Sequence, residues 1–199
     1  ERFWIYGSHQ PKTMPSGSLR LCVNASRAFG TGEHETTQGC LIALHDLQKS
    51  RSFSRLITAS RFASVLDVGC GTAILAMASV RLWSCRALAV DIDPDAIVVA
   101  RDLVSQNGLS QKIEVIESDG VQRREILRQA PYHLIIANIL ARPLCSFARG
   151  FAGILSPRGR IVLSGILLDQ ISMIVATYRV HNLIIKEKYI RGEWATLIL

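Results

Sequence analysis

The feature that most constrains the fold is a glycine turn between an apolar run and a helix-forming run. Residues 65–73 read VLDVGCGTA, and residues 74–78 continue as ILAMA. Alanine, leucine and methionine favour helix, so the stretch predicts a strand, a tight turn and a helix. Gly69 and Gly71 give this turn backbone freedom without a Cβ atom, so a ligand can lie against the main chain near the start of the helix.

A second apolar run ends in an acidic residue, Asp91, within VDIDPDA. It follows the glycines by about 20 residues, the spacing at which an acid binds a ribose diol in nucleotide-binding βαβ units. This pairing leaves both nicotinamide and S-adenosylmethionine open as ligands. The nicotinamide fingerprint has a third glycine where this chain has Ile74, which weakens that alternative. The looser turn G-x-G-x-G is typical of methyltransferases, and Ala73 fits its last position if that residue has helical dihedrals.

Composition narrows the class of protein. The 199 residues are 49% apolar and 20% charged, a profile typical of one globular domain. We expect no membrane span and no signal peptide, and therefore a cytoplasmic location. The five cysteines are odd in number and lack metal-ligand spacing, which predicts reduced thiols and no metal site.

The net charge of +7 arises mainly from arginine. The arginines cluster as Arg123, Arg124 and Arg128, then Arg142 and Arg149, then Arg158 and Arg160. Such clusters can contact RNA phosphates, but more often they form a solvated face. No RNA-recognition signature accompanies them, so direct nucleic-acid binding is the weaker of the two interpretations.

The start of the chain is predicted to form edge strands or a linker over residues 1–27, and residues 28–199 are predicted to form one domain. The loop 28–37, AFGTGEHETT, is rich in small hydrogen-bonding residues that commonly face a polar ligand. It also leads into a helix over Thr37–Lys49, for which Thr31, Thr36 or Thr37 is the expected N-cap.

From residue 64 onward, apolar strands alternate with helical segments. The strands are predicted at 65–69, 87–92, 113–118, 134–137 and 161–164, and the helices at 74–82, 95–107, 121–129, 144–155 and 169–180. This alternation predicts a buried parallel sheet with right-handed crossovers. Residues 183–190 and 194–199 then predict an antiparallel hairpin. The fold class is therefore α/β, a Rossmann-like, mostly parallel seven-stranded sheet with a C-terminal hairpin, which is typical of S-adenosylmethionine-dependent methyltransferases.

Two more polar residues follow predicted strands. Asp119 comes after the third strand, where an acid can meet an adenine amino group. Asn138 ends the fourth strand, and strand carboxyl ends line the ligand crevice of open α/β sheets, so its amide is expected to face the reacting centre. Each also has an ordinary interpretation, as a loop acid or a turn residue.

Five segments together resemble the PrmA family, the methyltransferases of large-subunit ribosomal protein L-eleven. They are AFGTGEHETT, VLDVGCGTA, VDIDPDA, ANIL and LSGIL, and the similarity runs from about residue 2 to the C-terminus. The resemblance implies that Thr31, Gly69, Asp91 and Asn138 contact S-adenosylmethionine. It also implies that the acceptors are the α-amino group and lysine amines of the ribosomal protein. Family members have an N-terminal recognition domain, which we expect this chain to lack.

These observations predict transfer of methyl groups from S-adenosylmethionine to amines of a ribosomal protein by a monomer without metal. The expected catalytic residue is Asn138, and the expected cofactor contacts are Thr31, Gly69, Gly71, Asp91, Asp119 and Asn138. Three alternatives stay open. One is methylation of another protein or a small-molecule amine, the second is a cofactor-binding fragment without catalysis, and the third is a nicotinamide-dependent oxidoreductase.

Overall fold

A computed structural model describes residues 3–7, 17–23, 34–59 and 64–199. Its strands are β1 (Phe3–Tyr6), β2 (Leu19–Cys22), β3 (Val65–Val68), β4 (Ala87–Asp91), β5 (Ile113–Glu117), β6 (Tyr132–Asn138), β7 (Leu155–Leu167), β8 (Glu187–Arg191) and β9 (Trp194–Ile198). Its helices are α1 (Glu35–Lys49), α2 (Arg51–Thr58), α3 (Ile74–Trp83), α4 (Pro94–Gln106), α5 (Arg124–Gln129), α6 (Ala141–Ile154) and α7 (Ile171–Arg179). A 3₁₀ turn, Leu168–Gln170, joins β7 to α7.

The main sheet has the strand order β5-β4-β3-β6-β7-β9-β8. The first five of these strands are parallel, and β9 runs antiparallel to both β7 and β8. The predicted fold class is thus confirmed, including the seven strands and the C-terminal hairpin. The order reverses direction at β3, which places a crevice at the carboxyl ends of β3 and β6.

The parallel strands are buried on both faces. Leu66 and Val68 of β3 pack into one hydrophobic cluster, and Val65 of the same strand packs into the other. Helices α1 and α3 contribute to the first cluster, whereas α6 and α7 contribute to the second. This two-sided burial explains why these strands read as continuous apolar runs instead of alternating ones.

The N-terminal strands β1 and β2 form a separate two-stranded parallel sheet. Leu21 and Val23 join the core cluster that contains α3. The side chain of Asn107, at the end of α4, accepts from the Cys22 N–H at 2.9 Å and donates to the Cys22 carbonyl at 2.8 Å. These two strands therefore form a small sheet of their own that packs against the core of the main sheet.

Several element boundaries differ from the expected ones. His34 caps α1 by accepting from the Thr36 N–H at 3.3 Å, so the expected threonine cap is wrong. Helix α6 begins at Ala141, because Pro143 lies in the first turn, where a missing N–H leaves no helical bond unmade. Helix α2 was not expected, and β8 begins only at Glu187. In the described ranges, no helix is long and apolar enough to cross a membrane.

Candidate cofactor and active site

A cavity of about 400 Å³ lies at the carboxyl ends of the parallel strands. Five of the six expected site residues line it, namely Gly69, Gly71, Asp91, Asp119 and Asn138. They come from the last residues of β4 and β6 and from the segments after β3 and β5, which the sheet brings to one edge. The sixth expected residue, Thr31, lies outside the described residues.

The glycine turn has the left-handed backbone that its sequence predicts. Gly69 and Gly71 have φ values of +69° and +52°. A Cβ atom on Gly69 would collide with the side chain of Ile139, which also lines the cavity. Glycine therefore suits this position both for its backbone conformation and for the close approach of Ile139, which follows β6.

Ala73 does not meet the condition under which it would fit the last position of the turn. Its φ of 57° and ψ of 23° are left-handed and not helical. Its N–H donates to the Cys70 carbonyl at 2.7 Å, and the residue is completely buried at the start of α3. A left-handed conformation costs a residue with a side chain about 1–2 kcal/mol, so the turn keeps its shape at some expense of stability.

Asp91 connects the two motifs that the sequence singled out. Its Oδ2 atom accepts from the Gly71 N–H at 2.8 Å, and its Oδ1 atom accepts from the Asp93 N–H at 3.1 Å. Each carboxylate oxygen has a further lone pair, so both can still accept a hydroxyl donor. The turn is also fastened to β4 by the Gly69 and Cys70 N–H groups, which donate to the Val90 carbonyl at 2.8 and 3.0 Å.

Asn138 has an unsatisfied acceptor in the cavity. Its Nδ2 group donates to the Thr37 hydroxyl at 3.4 Å, which fixes how the amide is turned. Its Oδ1 atom is buried and has no hydrogen-bond partner among the described residues. A buried polar atom without a partner costs about 1–3 kcal/mol, so a donor from a ligand would stabilise this arrangement.

Thr37 is a cavity residue that the sequence analysis did not assign to the site. It is 1% exposed, lies in the first turn of α1 and faces Asn138. Thr37 stands out in the sequence as a possible helix cap and as the last residue of the loop 28–37, which is expected to face a polar ligand. That loop was the available signal, and only the packing of α1 against β6 and β7 brings Thr37 to the cavity.

Behind the cavity, Asp67 of β3 is almost completely buried. Its Oδ2 atom accepts from the Ala76 N–H at 2.9 Å, while Oδ1 has no partner among the described residues. Burial raises the pKa of this carboxyl to about 7, the Ala76 N–H opposes the rise, and the nearby Asp91 charge adds to it. Asp67 is thus a structural support for the start of α3.

The mouth of the cavity is apolar. Ile92 is 63% exposed and Leu140 is 71% exposed, and both line the cavity. Pro143 and Phe147 of α6 extend this wall. Exposed large apolar side chains around a concave site are typical of a surface that covers a flat ligand group.

The cavity residues fit an adenosine-containing ligand and give no support to a metal. Among the residues that the structure describes, no three His, Cys, Asp or Glu side chains are placed to hold a metal ion. Asp91 fits a ribose diol, the apolar mouth fits an aromatic base, and the free Asn138 oxygen fits a donor near the glycine turn. Fold and site together define the class: the chain has the Rossmann-like fold of S-adenosylmethionine-dependent methyltransferases.

Comparison with known proteins gives the family. The family model "Ribosomal protein L11 methyltransferase (PrmA)" matches residues 1–199, so the chain belongs to this family. Proteins named ribosomal protein L11 methyltransferase are 37% identical over 198 residues in Caulobacter sp. (strain K31) and 38% identical over 196 residues in Chelativorans sp. (strain BNC1). These alignments cover 100% and 98% of this chain, which spans 65% and 64% of the two relatives.

A solved structure supports the fold. The crystal structure of ribosomal protein L11 methylase from Lactobacillus delbrueckii subsp. bulgaricus superposes with a TM-score of 0.81 at 24% identity. The match covers 99% of this chain and 93% of that one. The likeness therefore extends from the main sheet to the N-terminal strands.

Proposed function

We propose that this chain transfers methyl groups from S-adenosylmethionine to amino groups of ribosomal protein L11. The observation that carries the proposal is the Oδ1 atom of Asn138, which is buried, lacks a partner among the described residues and lines the cavity beside the glycine turn. In this proposal residues 28–199 form the methyltransferase domain, and residues 1–27 contribute the strands that pack against it.

The cofactor would occupy the cavity along the glycine turn. When bound, S-adenosylmethionine supplies a methyl group activated by a positively charged sulfur. In this proposal the Asp91 carboxylate accepts hydrogen bonds from the ribose hydroxyls, and the Asp119 carboxylate accepts one from the adenine amino group. Ile92 and Leu140 cover the faces of the base and exclude water from it. Gly69 and Gly71 let the ligand approach the main chain.

Asn138 would orient the amine that receives the methyl group. A lysine amine has a pKa of about 10.4 and is nucleophilic only as the neutral form. The Asn138 Oδ1 atom can accept an N–H of that amine and so direct the nitrogen lone pair toward the methyl group. The Thr37 hydroxyl keeps Oδ1 pointing into the cavity by accepting from Nδ2. The proton released from nitrogen would pass to water.

The acceptor is proposed from the family. The relatives are named for ribosomal protein L11, and the family resemblance adds its α-amino group and lysine amines. Another protein or a small-molecule amine is the second candidate. A nicotinamide-dependent reaction has less support, because Ile74 replaces the third glycine of that fingerprint and the β8–β9 hairpin closes the sheet. We further propose that the protein is a cytoplasmic monomer.

Mass spectrometry of the ribosomal protein tests the proposal. Purified ribosomal protein L11 is incubated with this chain and S-adenosylmethionine, and we expect mass increments of whole methyl groups. The Asn138→Ala variant is run in parallel and should give far less product. A full-length relative serves as a positive control for the substrate. If that relative methylates the protein and this chain does not, the chain is a cofactor-binding domain and the proposal is wrong.

A further inference from the structure

A second cavity, of about 440 Å³, lies between α2 and the beginning of β7. Its lining, here called the arginine pocket, consists of Ser52, Phe53, Arg55, Leu56, Arg158 and Arg160. Half of these residues carry a guanidinium group, and none carries a carboxylate. The pocket thus combines convergent positive charge with an apolar part formed by Phe53 and Leu56.

The turn at the start of β7 fixes one of the three arginines, Arg160. Arg160 donates from Nη1 to the carbonyl oxygens of Arg158 at 3.1 Å and Gly159 at 2.9 Å. A guanidinium has five N–H donors, so most of them are left for a ligand. Because Arg160 is already held, binding would cost less side-chain entropy than at a freely rotating arginine.

The charge of the arginine pocket is not compensated within the described part of the chain. The two ion pairs there join Lys49 to Asp46 and Arg123 to Glu125. Arg55, Arg158 and Arg160 have no carboxylate partner in those ranges. Three like charges around one cavity repel each other, so an anion bound between them would stabilise the protein.

The other arginine clusters differ from this one. Arg123 pairs with Glu125 and also donates to the Glu117 carbonyl. Arg142 and Arg149 lie exposed on α6, as a solvated face would. Arg55 and Arg158 are exposed as well, but tertiary packing places Arg55, distant in sequence, around the same cavity as Arg158 and Arg160.

The arginine pocket lies away from the proposed site of methyl transfer. In the parallel register of β6 and β7, Arg160 lies opposite Leu134 near the start of β6, and Ser164 lies opposite Asn138 at its end. Four residues of strand correspond to about 13 Å. A ligand in the arginine pocket would therefore leave the cofactor cavity free, and the two sites can be occupied at the same time.

We propose that the arginine pocket binds the phosphate backbone of RNA. Guanidinium groups match phosphate oxygens with two parallel hydrogen bonds, and three of them suit more than one phosphate of a chain. The net charge of +7 favours approach of a polyanion. The relatives are named for a ribosomal protein, whose natural surroundings are RNA. RNA held here would dock the domain while the opposite edge of the sheet stays open.

Fluorescence anisotropy with a labelled short RNA hairpin tests this inference without using methyl transfer. The wild type should bind the hairpin with an affinity that falls as salt rises. The Arg158→Gln/Arg160→Gln double variant should bind about tenfold more weakly. The slope of its log affinity against log salt concentration should be smaller in magnitude by about two. The Arg142→Gln/Arg149→Gln double variant has the same net charge, and it should stay within about twofold of the wild type.

Further measurements separate the other outcomes. Thermal unfolding by circular dichroism shows whether each double variant is folded. Competition with inorganic phosphate and with polyglutamate distinguishes RNA from a single phosphate or an acidic peptide. Equal weakening in both double variants would mean that only net charge matters, and the inference would be wrong. Polyglutamate displacing the hairpin at lower concentration than unlabelled RNA would also overturn it.

Discussion

The carboxylate of Asp91 accepts a hydrogen bond from the Gly71 main chain at 2.8 Å. This contact ties the end of β4 to the glycine turn after β3, so the acid that we propose to bind the ribose is held against the turn. It gives a structural reason for the spacing of about 20 residues between the two motifs.

Replacing Asp91 should weaken cofactor binding. We expect Asp91→Ala to reduce the affinity for S-adenosylmethionine by about 1.5–3 kcal/mol, the range of hydrogen bonds to a charged group. Isothermal titration calorimetry measures this. Asp102→Ala, on the exposed face of α4, removes the same charge away from the cavity and should have no effect. Unchanged affinity in Asp91→Ala would remove the ribose contact from the proposal.

Asn138→Ala should lower turnover much more than it lowers the affinity for the cofactor. Loss of the Oδ1 acceptor leaves the amine without its orienting contact, so we expect turnover to fall about 100-fold. The cofactor dissociation constant should change less than about threefold, because the ribose and base contacts stay. Radiolabelled methyl transfer and calorimetry give the two values. Gln106→Ala, another amide on the exposed surface of α4, is the control. Equal losses in turnover and affinity would make Asn138 a binding residue.

Asp67 should make stability depend on pH. In the folded protein its pKa is raised to about 7 from a usual 3.8. Between these values the unfolded chain releases a proton that the folded chain keeps, so the free energy of unfolding falls as pH rises. The full contribution of Asp67 to the free energy of unfolding is up to about 4 kcal/mol. It is present below the usual pKa and is lost as pH rises through the raised pKa.

The Asp67→Asn variant isolates that contribution. Urea unfolding between about pH 4 and pH 7 should show the wild type losing stability relative to the variant as pH rises. Asp102→Asn, at an exposed position, should run parallel to the wild type. A difference between wild type and Asp67→Asn that does not change with pH would show that the carboxyl ionises normally.

Gly165 should be more sensitive to substitution than a glycine in open space. Its φ is +78°, and a Cβ atom there would collide with the main-chain oxygen of Ile139, next to Asn138. We expect Gly165→Ala to destabilise the protein by about 3 kcal/mol and to weaken cofactor binding. Gly108 has a similar φ of +67°, and a Cβ atom there would have nothing near it. Gly108→Ala should therefore lower the free energy of unfolding by about 1 kcal/mol and leave cofactor binding unchanged. Similar losses in both variants would mean that only the backbone conformation matters.

At two positions, neighbouring residues overrule the local preference of the sequence. Ala73 is left-handed although alanine favours helix, because its N–H must reach the Cys70 carbonyl to complete the turn. His34 caps α1 although threonines stand close by, because its ring lies against Trp194 of β9, with centroids 5.4 Å apart. The first contact is local, whereas the second joins distant parts of the chain and is not visible in a window of the sequence.

The sequence by itself determined the alternation of buried strands and helices, the glycine turn and the acid that follows it. These depend on hydrophobic period and on backbone freedom, which are local properties. Only the tertiary structure decided that Thr37 reaches Asn138 and that Arg55 joins Arg158 and Arg160. Those pairs are distant in the chain, and they meet because the packing of α1 and α2 on the sheet buries apolar faces that no short segment can bury alone.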